Sequence, residues 1–246
     1  MFKVYGPKNP HDQFQSEWLA SDFDKKVAAL EEKQKEVLDL ISKYFTPKDY
    51  LLEAGCGMGR FVKYYHDRGW NIRGVDFAEK AIEKVKEYDP ALKVDFGDCT
   101  NLPYEDETFD GYLSFGVVEH MEEGPDVFLK EAHRVLKPTG KALITVPNQE
   151  NRAYFKVYAP EKIKQYTEFF ELGFTREEFV DALNRNGFKV LEIRYCGYFT
   201  PLRTHKILQG KEAYDLNWLG RICERLARMC NSKKYGWMIG AIVSKQ

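Results

Sequence analysis

At 246 residues the chain is long enough for one domain of ordinary size, or one domain carrying a cap, and two full domains would be cramped. Hydrophobic residues make up 43%, charged residues 30% and aromatics 15%, which excludes a disordered or collagen-like polymer and supplies a core. Lys plus Arg number 37 against 38 for Asp plus Glu, so no global field holds nucleic acid or an anionic bilayer, and any such binding has to be local.

Between Gln13 and Phe45 the apolar positions Phe14, Trp18, Val27, Leu30, Val37, Ile41 and Phe45 recur at mostly helical spacings, predicting one or two leading helices. Short apolar runs then alternate with amphipathic stretches. The expected order is strand Tyr50–Gly55, helix Gly59–Arg68, strand Asn71–Asp76, helix Ala78–Tyr88, a strand over 92–98, a loop at Asn101–Thr108, strand Phe109–Phe115, helix Asp126–Leu136 and strand Lys141–Pro147. Such alternation signals βαβ units and a parallel sheet covered on both faces.

After Pro147 the rhythm changes. Asn148–Leu172 is rich in aromatics (Tyr154, Phe155, Tyr158, Tyr166, Phe169, Phe170) without a clear strand and reads as a cap. A helix follows, with Thr175 as N-cap, Glu178 in the capping-box position and Gly187 as its stop. A strand over Lys189–Phe199, a helix over Glu212–Cys230 and a final strand over Gly236–Lys245 close the chain. No repeat or low-complexity linker interrupts it. The expected organisation is one domain, with a helical cover at 1–48, a core at 49–147, a cap at 148–173 and the rest of the sheet at 174–246, the last carrying a helical insertion at 203–234.

Five scattered cysteines without a CxxC pair argue against a disulfide framework or a zinc knuckle and for a reducing compartment. The first residues lack a leader pattern, and no window approaches the roughly 20 apolar residues of a membrane span. The expectation is a cytoplasmic protein.

The segment LLEAGCGMGR sets Gly55, Gly57 and Gly59 after an apolar strand and before a helix, where glycines let backbone approach a ligand and free amides face it. A ligand-free tight turn is the plainer alternative for the glycines alone. Twenty-one residues beyond Gly55, Asp76 ends the next strand, where a carboxylate can accept from both hydroxyls of a ribose. Asp98 stands at the following strand end, placed to accept from an exocyclic adenine amine, with Cys99 and Phe77 near enough in sequence to pack on the ring. A dinucleotide fingerprint wants Gly or Ala three residues after the middle glycine, and Arg60 is there instead. Glu53, two residues before the first glycine, would repel a pyrophosphate and welcome a sulfonium or amino group.

The segments EAGCGMGR, GVDFA, GDCTNLPYEDETFDGYLSFGVVEHM and EAHRVLKPTGKALITVPN together resemble the class I methyltransferases that use S-adenosylmethionine, in particular the small-molecule, quinone-biosynthesis-like group. The likeness covers Tyr50–Asn148, and FTREEFVDALNRNGFKVLE resembles the late helix and strand of the same group. It implies a Rossmann-like α/β fold, with a seven-stranded, mostly parallel sheet whose last strand is antiparallel and helices on both faces. The implied cofactor contacts are Glu53, Gly55, Cys56, Gly57, Gly59, Arg60, Asp76, Phe77, Asp98, Cys99 and Thr100, with Phe115, Gly116 and Val118 along the methionine part.

Methyl transfer from a sulfonium is an in-line displacement, so a base is needed only when the acceptor must lose a proton. His120 in VVEHM is the candidate base, with a purely hydrogen-bonding role as its alternative, and Glu119 beside it reads as structural. His11, His66, His133 and His205 lack a matching carboxylate pattern. No metal is expected, because VPNQENR offers Asn148, Glu150 and Asn151 without supporting aspartates. Tyr5, Trp18, Asn148, Tyr154 and Tyr158 are candidates to line an acceptor pocket, or they simply cover the sheet.

The stretch Arg203–Lys234 holds eight basic residues against three acidic ones, with Leu216, Leu219, Cys223, Leu226 and Cys230 forming a helical stripe. It suits packing on the sheet first, and peripheral membrane contact, a partner or RNA as alternatives. The leading reading is a methyltransferase for a small-molecule acceptor. Others are a methyltransferase for protein or RNA, a silent S-adenosylmethionine-binding protein and, more distantly, a dehydrogenase.

Overall fold

The computed structural model describes residues 1–6, 23–151, 153–154, 166, 168–198, 201–202, 205–210 and 216–246. In chain order the elements are β1 (Phe2–Gly6), α1 (Phe23–Ala28), α2 (Leu30–Lys33), α3 (Lys35–Tyr44), β2 (Leu51–Ala54), α4 (Arg60–His66), β3 (Ile72–Asp76), α5 (Glu79–Tyr88), β4 (Val94–Phe96), β5 (Phe109–Phe115), α6 (Asp126–Val135), β6 (Leu136–Pro147), β7 (Glu168–Gly173), α7 (Arg176–Arg185), β8 (Phe188–Cys196), a 3-10 turn at Lys206–Leu208, α8 (Trp218–Met229) and β9 (Met238–Lys245).

The main sheet has seven strands in the order β4-β3-β2-β5-β6-β9-β8. The first five run parallel, and β9 is antiparallel to both β6 and β8. Period-two side-chain alternation divides its residues between two layers. Leu51, Leu113, Leu143 and Ile242 pack with α3, α4 and α5 through Leu38, Ile41, Phe61, Val62, Ile82 and Val85. Leu52, Tyr112, Ala142, Ile144, Ala241 and Val243 pack on the other face with α6 and α7 through Leu129, Ala132, Phe179 and Leu183. The sheet is therefore buried on both faces, as its near-continuous apolar strands require. The capping box at Thr175 is present: the Glu178 amide donates to Thr175 Oγ1 at 3.1 Å and the Thr175 amide donates to Glu178 Oε2 at 2.9 Å.

Three expectations need correction. A second, two-stranded antiparallel sheet pairs β1 with β7, placing Val4 opposite Glu171, so the cap ends in a strand and the opening residues form another. Alternation was hidden there, because Phe169 and Phe170 are adjacent aromatics that face opposite ways. The described part of the leading helical stretch is three short helices, interrupted at Ala29 and Gln34, where one or two were expected, and Phe14 and Trp18 lie outside the described residues. In α8 the inward positions are Gly220 and Ala227, while Leu226 and Cys230, expected in the packing stripe, are exposed. Leu216 is buried, with Leu219 and Cys223 packed around it.

Candidate active site

After β2 the chain moves outward through β3 and β4, then returns to β5 on the other side of β2 and continues to β6. This reversal opens the crevice in which ligands of α/β sheets bind, outside the carboxyl ends of the strands. The glycine turn lies there. Gly55, Gly57 and Gly59 have φ of +77°, +53° and +67°, the left-handed region that glycine enters without strain. The amides of Gly55 and Cys56 both donate to the Val75 carbonyl, at 2.8 and 3.0 Å, fixing the turn to β3. A Cβ added to Gly55 would fall 2.3 Å from Val117 Cγ2, so the turns after β2 and β5 meet face to face.

Asp76 is buried at the end of β3 and holds the turn from the other side. Its Oδ2 accepts from the Gly57 amide at 2.7 Å and its Oδ1 from the Ala78 amide at 2.9 Å. Burial raises its pKa, and these amides oppose the rise. The Phe77 amide opposes it as well, and the lone pair that three amides leave over is the one open to a ligand hydroxyl. Glu53 lies beneath the turn, its Oε2 accepting from the Val62 amide in the first turn of α4 at 3.2 Å. Burial pushes its carboxyl up to about 8, with the charge of Arg60 pulling the other way. The standing negative charge expected of Glu53 is thus largely neutralised by a proton at pH 7, because a dry site disfavours the ion.

At the next strand end Asp98 is exposed, and its Oδ1 accepts from the Thr100 amide at 2.7 Å and hydroxyl at 2.8 Å. Phe77, which follows Asp76, presents an exposed ring, whereas Cys56 and Cys99 are buried. Burial pushes the Cys99 thiol up to about 12, so it offers an apolar surface and no thiolate.

Beyond β5, Phe115 packs on Phe61 with ring centroids 4.4 Å apart, and Gly116 is again left-handed at φ +71°. Val118, expected along the cofactor, is buried in the core cluster that contains Leu129 and Phe174. That burial is set by the turn at Gly116, which sends Val118 and Glu119 inward. His120 lies half-buried with Nδ1 2.7 Å from the Phe170 carbonyl oxygen. A carbonyl only accepts, so Nδ1 carries the proton and the lone pair of the neutral ring is on Nε2.

Two residues that sequence reasoning left out of the site join His120. Glu119 is fully buried, and Glu171, from β7, is buried opposite Val4. Glu119, His120 and Glu171 offer atoms all within 4.8 Å of one another. The Tyr154 hydroxyl donates to Glu171 Oε1 at 3.0 Å. Burial pushes Glu171 up to about 7, and burial together with the neighbouring Glu171 charge holds Glu119 well above the usual carboxylate range. The three side chains form one cluster at the end of the turn that follows β5. Their spacing also admits a metal ion, as does that of His66, Asp67 and Asp89 on the surface. Glu119 was legible as a neighbour of His120. Nothing in EFFELG marked Glu171 as its partner.

The expected pocket residues divide. Asn148 is fully buried and engaged on every side: its Nδ2 donates to the carbonyls of Lys233 and Gly236 at 2.7 and 2.8 Å, and its Oδ1 accepts from the Glu150 amide. It clamps the turn after β6 to the segment before β9, which leaves no side-chain N–H for an acceptor. Tyr154 is fully buried and reaches Glu171 through its hydroxyl. Tyr5 packs edge-on against Phe169 at 6.4 Å and donates to Glu122 at 3.3 Å. Trp18, Tyr158 and His11 lie outside the described residues.

Residues 52–144 match the family described as "Methyltransferase domain". The chain is 28% identical over 140 residues to a protein of Mycolicibacterium smegmatis described as a probable S-adenosylmethionine-dependent methyltransferase, an alignment covering 57% of this chain and 52% of that one. The match thus spans about half the length of that relative. It is 32% identical over 173 residues to an uncharacterised protein of Methanocaldococcus jannaschii, covering 69% of this chain and 78% of the other. Among solved structures, the protein in complex with the Trm112 methyltransferase activator of Haloferax volcanii superposes with a TM-score of 0.67 over 98% of this chain and 99% of its own, at 16% identity, a likeness of fold. The cofactor of such enzymes is S-adenosylmethionine, and the residues present fit it: the turn is emptied of side chains by three glycines in conformations that other residues resist, at the crevice of the sheet. The chain belongs to the class I S-adenosylmethionine-dependent methyltransferases.

Proposed function

We propose that the protein transfers the methyl group of S-adenosylmethionine to a small-molecule acceptor that loses a proton at His120. One observation carries the reading: the turn after β2 and the turn after β5 touch at Gly55 and Val117, and His120 follows three residues later with its Nδ1 engaged by Phe170. When bound, the cofactor supplies an electrophilic methyl on a positively charged sulfur. Gly55, Gly57 and Gly59 would admit it, with Asp76 on the ribose hydroxyls and Asp98 and Phe77 on the adenine side.

The chain's own residues do the rest. The Phe170 carbonyl fixes the tautomer of His120, so that Nε2 is the atom that accepts a proton from a hydroxyl or ammonium acceptor. The buried Glu119–Glu171 pair, with Tyr154 behind it, gives the resulting imidazolium a negative neighbour whenever Glu171 is ionised. Buried aromatic and aliphatic side chains around Tyr154 and Leu172 exclude water from that side. Glu53 takes a proton in the absence of a cation and releases it when positive charge settles near the turn, which favours a sulfonium over its neutral demethylated product.

The test is calorimetric titration with S-adenosylmethionine and with its demethylated product, followed by mass-spectrometric readout of methyl transfer to hydroxyl, amine and carboxylate acceptors. Tight binding of both ligands with turnover of a hydroxyl or amine compound is expected. Binding without turnover of any acceptor would identify a silent binding protein, and turnover of carboxylates alone would remove the need for His120.

A further inference from the structure

Helix α8 stands apart from the site just described. Its inner side is fixed by packing: Gly220 and Ala227 are buried, and a Cβ on Gly220 would fall 2.7 Å from the Leu208 carbonyl oxygen. Leu219 and Cys223 close on Leu202, Leu208 and Leu216. This leaves Trp218, Ile222, Leu226 and Met229 on the opposite side, 74%, 46%, 54% and 82% exposed. Their spacing of four, four and three residues places them in one row along the helix. Ile207, 75% exposed, lies beside the start of α8, where Asn217 Nδ2 donates to the Ile207 carbonyl at 2.7 Å. A continuous row of this kind is uncommon on a surface that faces only water.

Cations border the row, and the acids beside it are engaged by arginines. Arg221 and Arg225 are exposed along one border, with Lys206 beside Ile207 and Lys234 beyond the end of the helix. The single acid of α8, Glu224, is turned away and pairs with Arg228 at 2.7 Å, and Arg228 in turn reaches the buried Glu36 at 2.7 Å. Glu31 and Glu32 of α2 line a groove of about 520 Å³ at one edge of the row together with Trp218, Ile222 and Arg225, and Glu32 pairs with Arg221 there at 3.1 Å.

We propose that the outer face of α8 lies on an anionic lipid surface, with Trp218, Ile222, Leu226, Met229 and Ile207 entering the headgroup region and Arg225, Lys206 and Lys234 meeting lipid phosphates. Apolar rows bordered by cations bind bilayers in this way, lying in the plane of the interface. Charge complementarity selects the occupant. A nucleic acid would satisfy the arginines and leave the aliphatic row in water.

The experiment is co-sedimentation of the full chain with phosphatidylcholine vesicles with and without phosphatidylglycerol. Binding to the phosphatidylglycerol vesicles, weakened by added salt, is expected. I222E and M229E should each lower the partition by about tenfold, and R225E by a similar factor that vanishes on phosphatidylcholine alone. Unchanged S-adenosylmethionine affinity and thermal midpoint in each variant separate loss of the surface from loss of the fold. The proposal is overturned if the wild-type chain stays in the supernatant with both vesicle types, or if I222E binds as well as wild type. Ultracentrifugation showing a dimer that I222E dissolves, without vesicle binding, would give the face to a second copy, and binding to polyuridylic acid alone would give it to RNA.

Discussion

Gly55 and Val117 occupy adjoining space: a methyl group on the first would overlap a methyl of the second, at 2.3 Å. Two turns that come from different strands are thereby held in one geometry, and the φ of +77° at Gly55 adds a second demand for glycine. G55A should lower unfolding free energy by about 1–3 kcal/mol, measured by urea denaturation. Adding V117A should recover the steric part and leave the backbone part. Full recovery in the double variant would show that the left-handed conformation carries no cost.

Asp76 serves the turn before it serves any ligand, since its oxygens bind the amides of Gly57 and Ala78. D76A is expected to weaken S-adenosylmethionine at least about tenfold, each charge-assisted hydrogen bond being worth about 1.5–3 kcal/mol. It should also lower the thermal midpoint without ligand, because two buried amides lose their acceptor. Unchanged affinity in calorimetry would move the ribose elsewhere.

H120Q keeps hydrogen-bonding capacity at the ring position and removes the base. Turnover with a hydroxyl or amine acceptor should fall by about 100- to 10,000-fold, while cofactor affinity stays within a factor of about two. A variant that loses affinity and not turnover would assign His120 a binding role.

Stability should fall as the solution is made more alkaline from about pH 4.5 to about pH 8. Glu53 and Glu171 rise from an ordinary value of 4.5 to about 8 and about 7 in the folded protein. Across that window the folded chain binds more protons than the unfolded chain, so the slope of stability against pH is negative. Below pH 4.5 these two groups add nothing further, because they are protonated in both states. Urea midpoints across the window should decline for wild type and decline less for E171Q, whose side chain needs no proton. A flat profile in wild type would mean that water reaches both carboxyls.

The capping box gives a control remote from the chemistry. T175A should cost about 1 kcal/mol and leave turnover unchanged. Thermal melts and the standard assay check both parts.

Much of this was legible because the parallel sheet writes itself plainly. Leu51 to Ala54 and Ile72 to Asp76 are apolar runs that end in turn residues, and Gly55, Asp76 and Asp98 follow strand ends because all five parallel strands finish at one edge. Thr175 and Glu178 announce a helix start by local chemistry alone. What escaped was non-local. Strand β1 is five residues long and has meaning only beside β7, whose residues lie more than 160 positions away. Glu171 looks like a surface charge until Val4 covers it. Asn148 looked like a pocket residue because its position after β6 suits one, yet its amide is consumed by Lys233 and Gly236. The stripe leading into α8 holds at Leu216, Leu219 and Cys223 and ends before Leu226 and Cys230, because helical spacing shows which residues share a side without showing how far that side turns inward, and the glycine and alanine at positions 220 and 227 took the close approach.

The Asn148 clamp has a mechanical consequence. Its amide, with that of Asn151, grips the short segment between α8 and β9, so the helix and the turn leading to Tyr154 are fastened at a common rivet. A swing of one without the other would break these bonds. A load applied to the helix would be transmitted to the wall beside Glu171 without passing through the sheet.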